Sequence, residues 1–250
     1  MDIVGHRGAA GEAPENTLTA ISHALRLGIR DFEIDIRLCR DGVFAVLHDA
    51  SLYRTTGHDQ LLHELSSEQL VTFFAHTQQR SWSGISAEQL GNSFIPLLPQ
   101  VLSFVPPNTS FQLEIKSDEY TNSELIVAEI GRQFTPGCHA LENLAITFTS
   151  FDIEIVSQIK EQYPYLNVGV VSDEDPMEAL EIAEEIGASH CCLKHTLLME
   201  ADLNLKQTLK NTDLHVSLWT VNELTLLEYF ASLGVDSVIT DIPSALLSEI

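Results

Sequence analysis

Five side chains that could do chemistry lie within the first 49 residues of the chain. They are His6, Arg7, Glu33, Asp35 and His48, and each stands in or directly after a short apolar run. Because side chains alternate along a strand, Glu33 and Asp35 share one face and repel each other unless a cation lies beside them. The two histidines can exchange protons near neutral pH. This segment therefore predicts a cation site with acid and base groups next to it.

A later run, FQLEIK, adds Glu114 and Lys116, which are two residues apart and also share a strand face. Glu33, Asp35 and Glu114 together would form a hard, oxygen-rich ligand set. Such a set suits Mg²⁺ or Ca²⁺ better than zinc, which prefers histidine and cysteine. We therefore predict a divalent metal, Mg²⁺ or Ca²⁺, as the cofactor.

The basic side chains fit a phosphate ester beside such a metal. Arg7 would bind it by a planar two-point contact and Lys116 as a point charge. His6 and His48, with a reference pKa of about 6.5, would act as base and acid, in either assignment. These are the parts of a phosphodiesterase. Trp219 is a candidate substrate contact, although a tryptophan that caps the core would fit the pattern almost as well.

Only a scaffold that gathers strand ends can bring these residues together. Short apolar runs alternate with helix-length segments, which indicates parallel βαβ units. We predict eight strands, at residues 2–5, 31–37, 111–115, 144–149, 167–171, 190–193, 215–219 and 237–240, and main helices at residues 17–27, 97–104, 123–133, 151–162, 176–186, 201–210 and 222–233, with a short last helix from residue 244. Eight units favour a (β/α)8 TIM barrel, in which chemistry lies at the carboxyl ends of the strands. An open doubly wound sheet is the alternative, but GHRGAAG lacks the spacing of the dinucleotide fingerprint.

Residues 52–94 interrupt this alternation. A turn at residues 40–42 leads into a third apolar run at 43–47, after which we find only two short helical candidates, near residues 66–76 and 86–89. We interpret the segment as a small helical insertion after the second βα region. The prediction is one domain, residues 1–250, that carries this insertion.

Composition limits the partners. Thirteen Lys and Arg against 36 Asp and Glu give a net charge of −23, which argues against nucleic acid and against stable association with an anionic membrane. The four cysteines have no CxxC or zinc-ligand spacing and are interpreted as reduced thiols. The start of the chain has no signal-like segment, so we expect a cytoplasmic protein that acts on a small molecule as a monomer or homodimer.

Taken in order, these motifs resemble the glycerophosphodiester phosphodiesterase family, in its cytoplasmic bacterial type. The resemblance covers the chain from end to end and rests on His6-Arg7-Gly8, Pro14-Glu15-Asn16-Thr17, Glu33-x-Asp35, Asp41-Gly42, Val46-x-His48-Asp49, Arg54-Thr55-Thr56-Gly57, Ile95-Pro96, Leu113-Glu114-Ile115-Lys116, Trp219-Thr220-Val221-Asn222, and Gly234-Val235-Asp236-x-Val238-Ile239-Thr240-Asp241-x-Pro243.

The resemblance implies a metal-dependent barrel hydrolase of lipid and glycerol metabolism that releases sn-glycerol 3-phosphate and an alcohol from glycerophosphodiesters. It assigns the metal to the positions of Glu33, Asp35 and Glu114, acid and base to His6 and His48, and the phosphate to Arg7 and Lys116. Three alternatives stay open: a lysophospholipase D-like phosphodiesterase, a non-catalytic barrel that binds a ligand, and a metal-dependent isomerase or lyase.

Overall fold

The eight predicted strands form a closed parallel barrel in the computed structural model, which describes residues 1–75, 82 and 85–247. The strands are β1 (Asp2–His6), β2 (Asp31–Leu38), β3 (Phe44–Val46), β4 (Ser110–Ile115), β5 (Ala145–Ser150), β6 (Asn167–Ser172), β7 (His190–Lys194), β8 (His215–Trp219) and β9 (Ser237–Thr240). Strand β1 pairs with both β2 and β9, which closes the sheet, and the order around it is β1, β2, β4, β5, β6, β7, β8, β9. The additional strand β3 pairs antiparallel with β2. The (β/α)8 fold prediction is confirmed.

Helices follow the barrel strands and cover their outer face. They are α1 (Leu18–Leu27), α2 (Tyr53–Thr56), α3 (Ser67–Leu70), α4 (Ala87–Gly91), α5 (Leu98–Phe104), α6 (Ser123–Gln133), α7 (His139–Asn143), α8 (Ile153–Gln162), α9 (Pro176–Glu185), α10 (Leu203–Asn211), α11 (Leu227–Leu233) and α12 (Pro243–Leu247). Helix α1 shows why the predicted boundaries hold. Its first turn is capped by the Thr17 hydroxyl, which accepts from the amide of Ala20, and it ends at Gly28 in the left-handed conformation (φ 98°). Within the described ranges, no helix is both long and apolar enough to cross a bilayer.

The strand pleat separates apolar from polar side chains. On β2, Phe32, Ile34 and Ile36 are buried among the apolar residues of the main core, whereas Glu33 and Asp35 lie on the other face of the strand. Burial of this apolar layer between strands and helices is the main favourable term for folding. Polar side chains therefore line the barrel interior near its carboxyl end.

The interior also carries a chain of hydrogen bonds along the barrel. The Cys192 thiol donates to Gln112 (3.2 Å), and Gln112 donates to Ser217 (3.0 Å). Ser217 and Ser237 share a hydrogen bond of 2.7 Å, and Ser237 lies 3.0 Å from Nε2 of His215. These partners satisfy polar groups that would otherwise destabilise a buried interior.

The segment between β3 and β4, which includes the predicted insertion, has its own small apolar cluster. Leu52, Leu62, Leu65 and Leu70 pack with Leu47 and other residues beside β3. The helix predicted for residues 66–76 is shorter in the structure, where α3 ends at Leu70. The reason is a contact that competes with the helical conformation, because Phe74 forms an isolated antiparallel β-bridge with Phe94 and its ring stacks on that of Phe94. The last predicted residue of that helix, His76, lies outside the described residues.

Further elements differ from the prediction, among them α2 and the 3₁₀ turns Leu62–Glu64 and His195–Leu198, which were not predicted. The segment predicted as one helix at 222–233 begins with a 3₁₀ turn, Leu224–Leu226, and only then continues as α11. Helix α7 was not predicted, because its five residues, HALEN, are too few to show a helical period.

Candidate active site

Three carboxylates lie together at the carboxyl end of the barrel. Asp35 on β2 is directly paired with Glu114 on the neighbouring β4, and Glu33 lies one pleat earlier on β2. One oxygen from each of the three lies within 4.8 Å of the others. Within the described part of the chain, Oε1 of Glu33 is buried and accepts no hydrogen bond. Three oxygen donors, one of them without a partner, fit a hard divalent cation.

Electrostatics support the same interpretation. Burial and the charge of Asp35 raise the pKa of Glu33 to about 8. Burial also raises the pKa of Glu114, against the opposing effect of Lys116. For Asp35, burial is outweighed by Lys116 and Arg7, which hold the pKa of that carboxyl well below its ordinary value. The protein alone therefore keeps part of this cluster protonated at neutral pH, and a bound cation would favour the ionised form of all three carboxylates.

Both predicted phosphate-binding residues contact this cluster. Nε of Arg7 lies 3.1 Å from Oδ2 of Asp35, and the Arg7 amide donates to Oε2 of Glu33 at 3.2 Å. Lys116 lies 3.0 Å from Oδ1 of Asp35 and also donates to Glu114. The two basic groups thus flank the carboxylates, where they could hold the anionic oxygens of a phosphate ester next to a metal.

A tight turn after β1 positions Arg7. Its backbone is left-handed (φ 49°), and the next residue, Gly8, has φ 88°. A Cβ at Gly8 would lie 2.8 Å from the Cβ of Ala20 on α1. The glycine is therefore required both by the turn and by the close approach of α1.

His6 is held from behind by Asp241. The His6 Nδ1 and Asp241 Oδ1 atoms are 2.6 Å apart, while Nε2 lies 3.7 Å from Oε2 of Glu33. Asn222 in turn fixes Asp241, because its amide donates to Oδ2 (2.8 Å) and its oxygen accepts from the Asp241 amide (2.9 Å). Burial lowers the pKa of His6, but Asp241 and Glu33 more than offset it, so the net pKa is raised. This arrangement leaves Nε2 as the atom that faces the site.

His48 has a matching arrangement on the other side. Its Nδ1 lies 2.6 Å from Oδ1 of Asp49, and its carbonyl accepts a hydrogen bond from Nε of Arg37 at 2.7 Å. The side chain is 35% exposed, compared with 16% for His6. Both histidines therefore turn the same ring nitrogen toward the site, with a carboxylate on the other nitrogen.

A cavity of about 180 Å³ joins these groups. It is lined by His6, Arg7, Glu33, His48, Gln112, Glu114, Lys116, Thr149, Phe151, Val171, Cys192, Trp219, Thr220 and Ile239. Trp219 donates from its indole nitrogen to the carbonyl of Cys192 (3.2 Å) and meets the ring of Phe151 edge to face at 5.6 Å. The cavity thus has both aromatic and charged side chains in its lining, as expected for a ligand with a polar and a carbon-rich part.

The structure brings together all eight residues predicted for the site: Asp35 lies behind the lining through its contacts with Arg7 and Lys116, and the other seven line the cavity. Sequence reasoning missed the groups that support them, of which Asp241, Asn222 and Asp49 fall in motifs of the family resemblance but received no role. Gln112 could have been found, because strand alternation places it on the face of Glu114. Phe151 belongs to none of the sequence motifs, so nothing in the sequence marked it as a site residue.

Two basic residues at the end of β7, Lys194 and His195, do not line the cavity. Lys194 forms an exposed ion pair with Asp173 at 3.6 Å, and Nδ1 of His195 lies 3.2 Å from the carbonyl of Trp219.

Comparison with known proteins places the chain among phosphodiesterases. A sequence profile described as the glycerophosphoryl diester phosphodiesterase family matches residues 6–245. A glycerophosphodiester phosphodiesterase from Caldanaerobacter subterraneus subsp. tengcongensis is 25% identical, with 98% of this chain and 96% of the relative covered. The human lysophospholipase D GDPD1 is 30% identical over 51% of this chain and 38% of its own length.

A solved structure extends this similarity to the whole barrel. An Oleispira antarctica phosphodiesterase in complex with the product sn-glycerol-3-phosphate superposes with a TM-score of 0.82 at 26% identity, covering 100% of this chain and 96% of the other. With a profile match over almost the whole length, the chain is an enzyme of the glycerophosphoryl diester phosphodiesterase family.

Proposed function

We propose that this enzyme hydrolyses glycerophosphodiesters to sn-glycerol 3-phosphate and an alcohol, with Mg²⁺ or Ca²⁺ as cofactor. The observation that carries the proposal is the single cavity in which a carboxylate cluster, two basic side chains and two histidines meet. The Oleispira phosphodiesterase, which was solved with sn-glycerol-3-phosphate bound, supports the assignment of the product.

Glu33, Asp35 and Glu114 would hold the metal. When bound, the metal would polarise the phosphoryl oxygens and neutralise charge that develops on them. Arg7 and Lys116 reach the same oxygens from the other sides. Since negative charge grows on these oxygens in the transition state, fixed cations stabilise it more than the ground state and so increase turnover.

His6 and His48 would move the protons. One takes a proton from the attacking oxygen, that of water or of the neighbouring glycerol hydroxyl, and the other protonates the departing alkoxide. If the glycerol hydroxyl attacks, this step gives a cyclic phosphate, and water then opens the ring to sn-glycerol 3-phosphate with the two histidines in exchanged roles. Asp241 and Asp49 accept from the Nδ1 protons, which keeps Nε2 of each ring directed at the substrate. Trp219 and Phe151 would pack against the carbon atoms of the glycerol or alcohol part.

The proposal includes a setting for the enzyme. We propose one domain, residues 1–250, with the insertion at about 52–94. It would work in the cytoplasm on small molecules of lipid and glycerol metabolism, as a monomer or homodimer, without nucleic acid or stable membrane association. The four cysteines are all unpaired, which suits a reducing compartment.

A second candidate is a lysophospholipase D-like activity. The human relative with that name supports it over half of this chain. A net charge of −23 works against the approach to an anionic lipid surface, so we rank this candidate second.

The test follows release of sn-glycerol 3-phosphate from glycerophosphocholine in a coupled dehydrogenase assay, on chelated enzyme with and without Mg²⁺ or Ca²⁺. We expect metal-dependent release, with turnover that falls about 10²- to 10⁴-fold in His48→Ala. His58→Ala is the matched control, because His58 packs on Phe73 in the insertion and does not line the cavity.

Two results would contradict the proposal. Unaltered turnover in His48→Ala at saturating metal would exclude His48 as an acid or base. No release of sn-glycerol 3-phosphate from glycerophosphodiesters with any head group, together with release of choline and lysophosphatidic acid from lysophosphatidylcholine, would establish the second candidate instead.

A further inference from the structure

Arg54, at the start of the insertion on α2, joins two separate loops at the mouth of the site. Its Nε lies 2.5 Å from Oδ2 of Asp49, and its Nη1 and Nη2 donate to the two oxygens of Glu15 at 2.7 and 2.8 Å. Nη2 also lies 3.2 Å from Oδ1 of Asp49. The planar guanidinium thus contacts both oxygens of both carboxylates, a geometry that lysine cannot reproduce.

Each of these carboxylates has a second partner inside the site. Oδ1 of Asp49 is 2.6 Å from Nδ1 of His48, and Oε1 of Glu15 accepts from Nη1 of Arg7 at 2.8 Å. A single carboxylate therefore lies between Arg54 and the proton-transfer residue His48 on one side, and another between Arg54 and the phosphate-binding residue Arg7 on the other. Charges alternate along the whole path from Asp49 through Arg54 and Glu15 to Arg7.

Burial shows which member of this path can be changed safely. The Arg54 side chain is 47% exposed, whereas Glu15 and Asp49 are 18% and 28% exposed. Removal of the Arg54 charge would leave no cavity in the core. It would leave two half-buried carboxylates without the cation that holds them in place, and these would turn toward solvent or toward other partners.

We propose that Arg54 is a positioning residue that sets the orientation of His48 and of Arg7 together, so that the insertion couples proton transfer to phosphate binding. The inference rests on the proposed function, which supplies the roles of His48 and Arg7. It adds a residue outside the cavity whose effect passes through Asp49 and Glu15.

The coupling predicts a distinct kinetic signature. Asp49→Asn should chiefly lower kcat, because Asp49 contacts His48 directly and reaches Arg7 only through Arg54 and Glu15. Glu15→Gln should chiefly raise KM, because Glu15 contacts Arg7 directly and reaches His48 only through Arg54 and Asp49. Arg54→Met should do both, by about 10- to 100-fold in kcat/KM, as is usual when a group that orients a site residue is lost. Adding Asp49→Asn to Arg54→Met should then lower kcat little further.

Arg40→Met is the matched control. Arg40 also ties the insertion to the barrel, by donating to the carbonyl of Glu64 at 2.8 Å, but it has no contact with Asp49 or Glu15. If Arg40→Met reproduces the loss seen in Arg54→Met, the cause is a loosened insertion and the proposal is wrong. Fully multiplicative effects of Arg54→Met and Asp49→Asn on kcat would overturn it as well.

A measurement on the metal-free protein separates this inference from the proposed function. In ¹⁵N-histidine NMR, the hydrogen-bonded Nδ1 proton of His48 should be visible in the wild type and in Arg40→Met, and lost or shifted in Arg54→Met. An inactive wild-type enzyme would refute the proposed function and leave this readout intact. An active wild type with an unchanged His48 signal in Arg54→Met would refute the coupling alone.

Discussion

The hydrogen bond between Asp241 and His6 gives the sharpest prediction about catalysis. Asp241→Asn keeps the size of the side chain but removes the charge that accepts from Nδ1 of His6 across 2.6 Å. A hydrogen bond to a charged group contributes about 1.5 to 3 kcal/mol. If that stabilisation serves the His6 imidazolium in the transition state, its loss lowers kcat about 10- to 150-fold, at 1.36 kcal/mol per factor of ten. KM should change little, because Arg7 and Lys116 keep their positions.

The assay is steady-state release of sn-glycerol 3-phosphate at saturating metal, alongside thermal unfolding. Asp173→Asn is the control, since Asp173 is another carboxylate near the rim of the barrel, paired with Lys194 and 45% exposed. It removes one negative charge without contact with a histidine of the site. If Asp241→Asn and Asp173→Asn lower kcat equally, the cause is the loss of one negative charge near the site and not the contact with His6. Asp241 would then have no role in orienting His6.

Two further predictions concern the metal cluster and the opposite end of the barrel. Glu33→Gln should weaken Mg²⁺ binding more than about tenfold by calorimetry without lowering the melting temperature of the metal-free protein, because the raised pKa of Glu33 already favours its uncharged form at neutral pH; a lower melting temperature would contradict that protonation. Burial and the nearby His215 lower the pKa of His190 to about 4 from 6.5. As the pH drops through 6.5, the unfolded chain therefore binds a proton at this residue before the folded protein does. The free energy of unfolding falls as a result, by about 2 kcal/mol at pH 5. His190→Gln should remove that part of the loss in urea titrations at pH 7.5 and 5, and an unchanged loss would exclude His190 as its source.

Much of this site was accessible from the sequence because strand geometry is regular. The two-residue spacing of Glu33 and Asp35, and of Glu114 and Lys116, directly predicts a shared face. Local spacing does not indicate which strands are neighbours in the sheet. That β2 and β4 are neighbours, which places Asp35 beside Glu114, depends on pairing between strands that the segment around residues 52–94 separates in the sequence.

The supporting groups were less accessible, for a different reason. Asp241 reaches His6 across a sequence separation of 235 residues, and no local pattern reports a contact that distant. Asp49 is adjacent to His48, but a carboxylate next to a histidine has many geometries, and only the backbone at this position selects the hydrogen bond. Contacts made by loops at the barrel mouth depend on turns whose conformations the sequence specifies weakly.

The two-sided character of the strands has a consequence for engineering. Side chains that hold the fold together point outward from β2 and β4, and side chains that carry charge and chemistry point inward, so the two sets occupy alternate positions in the same short segments. A library that varies only Gln112 and Cys192 would reshape the floor of the cavity and leave the apolar layer unaltered. Substrate range can thus be explored at positions outside the apolar layer, provided that each replacement still satisfies the buried polar partners of Gln112 and Cys192.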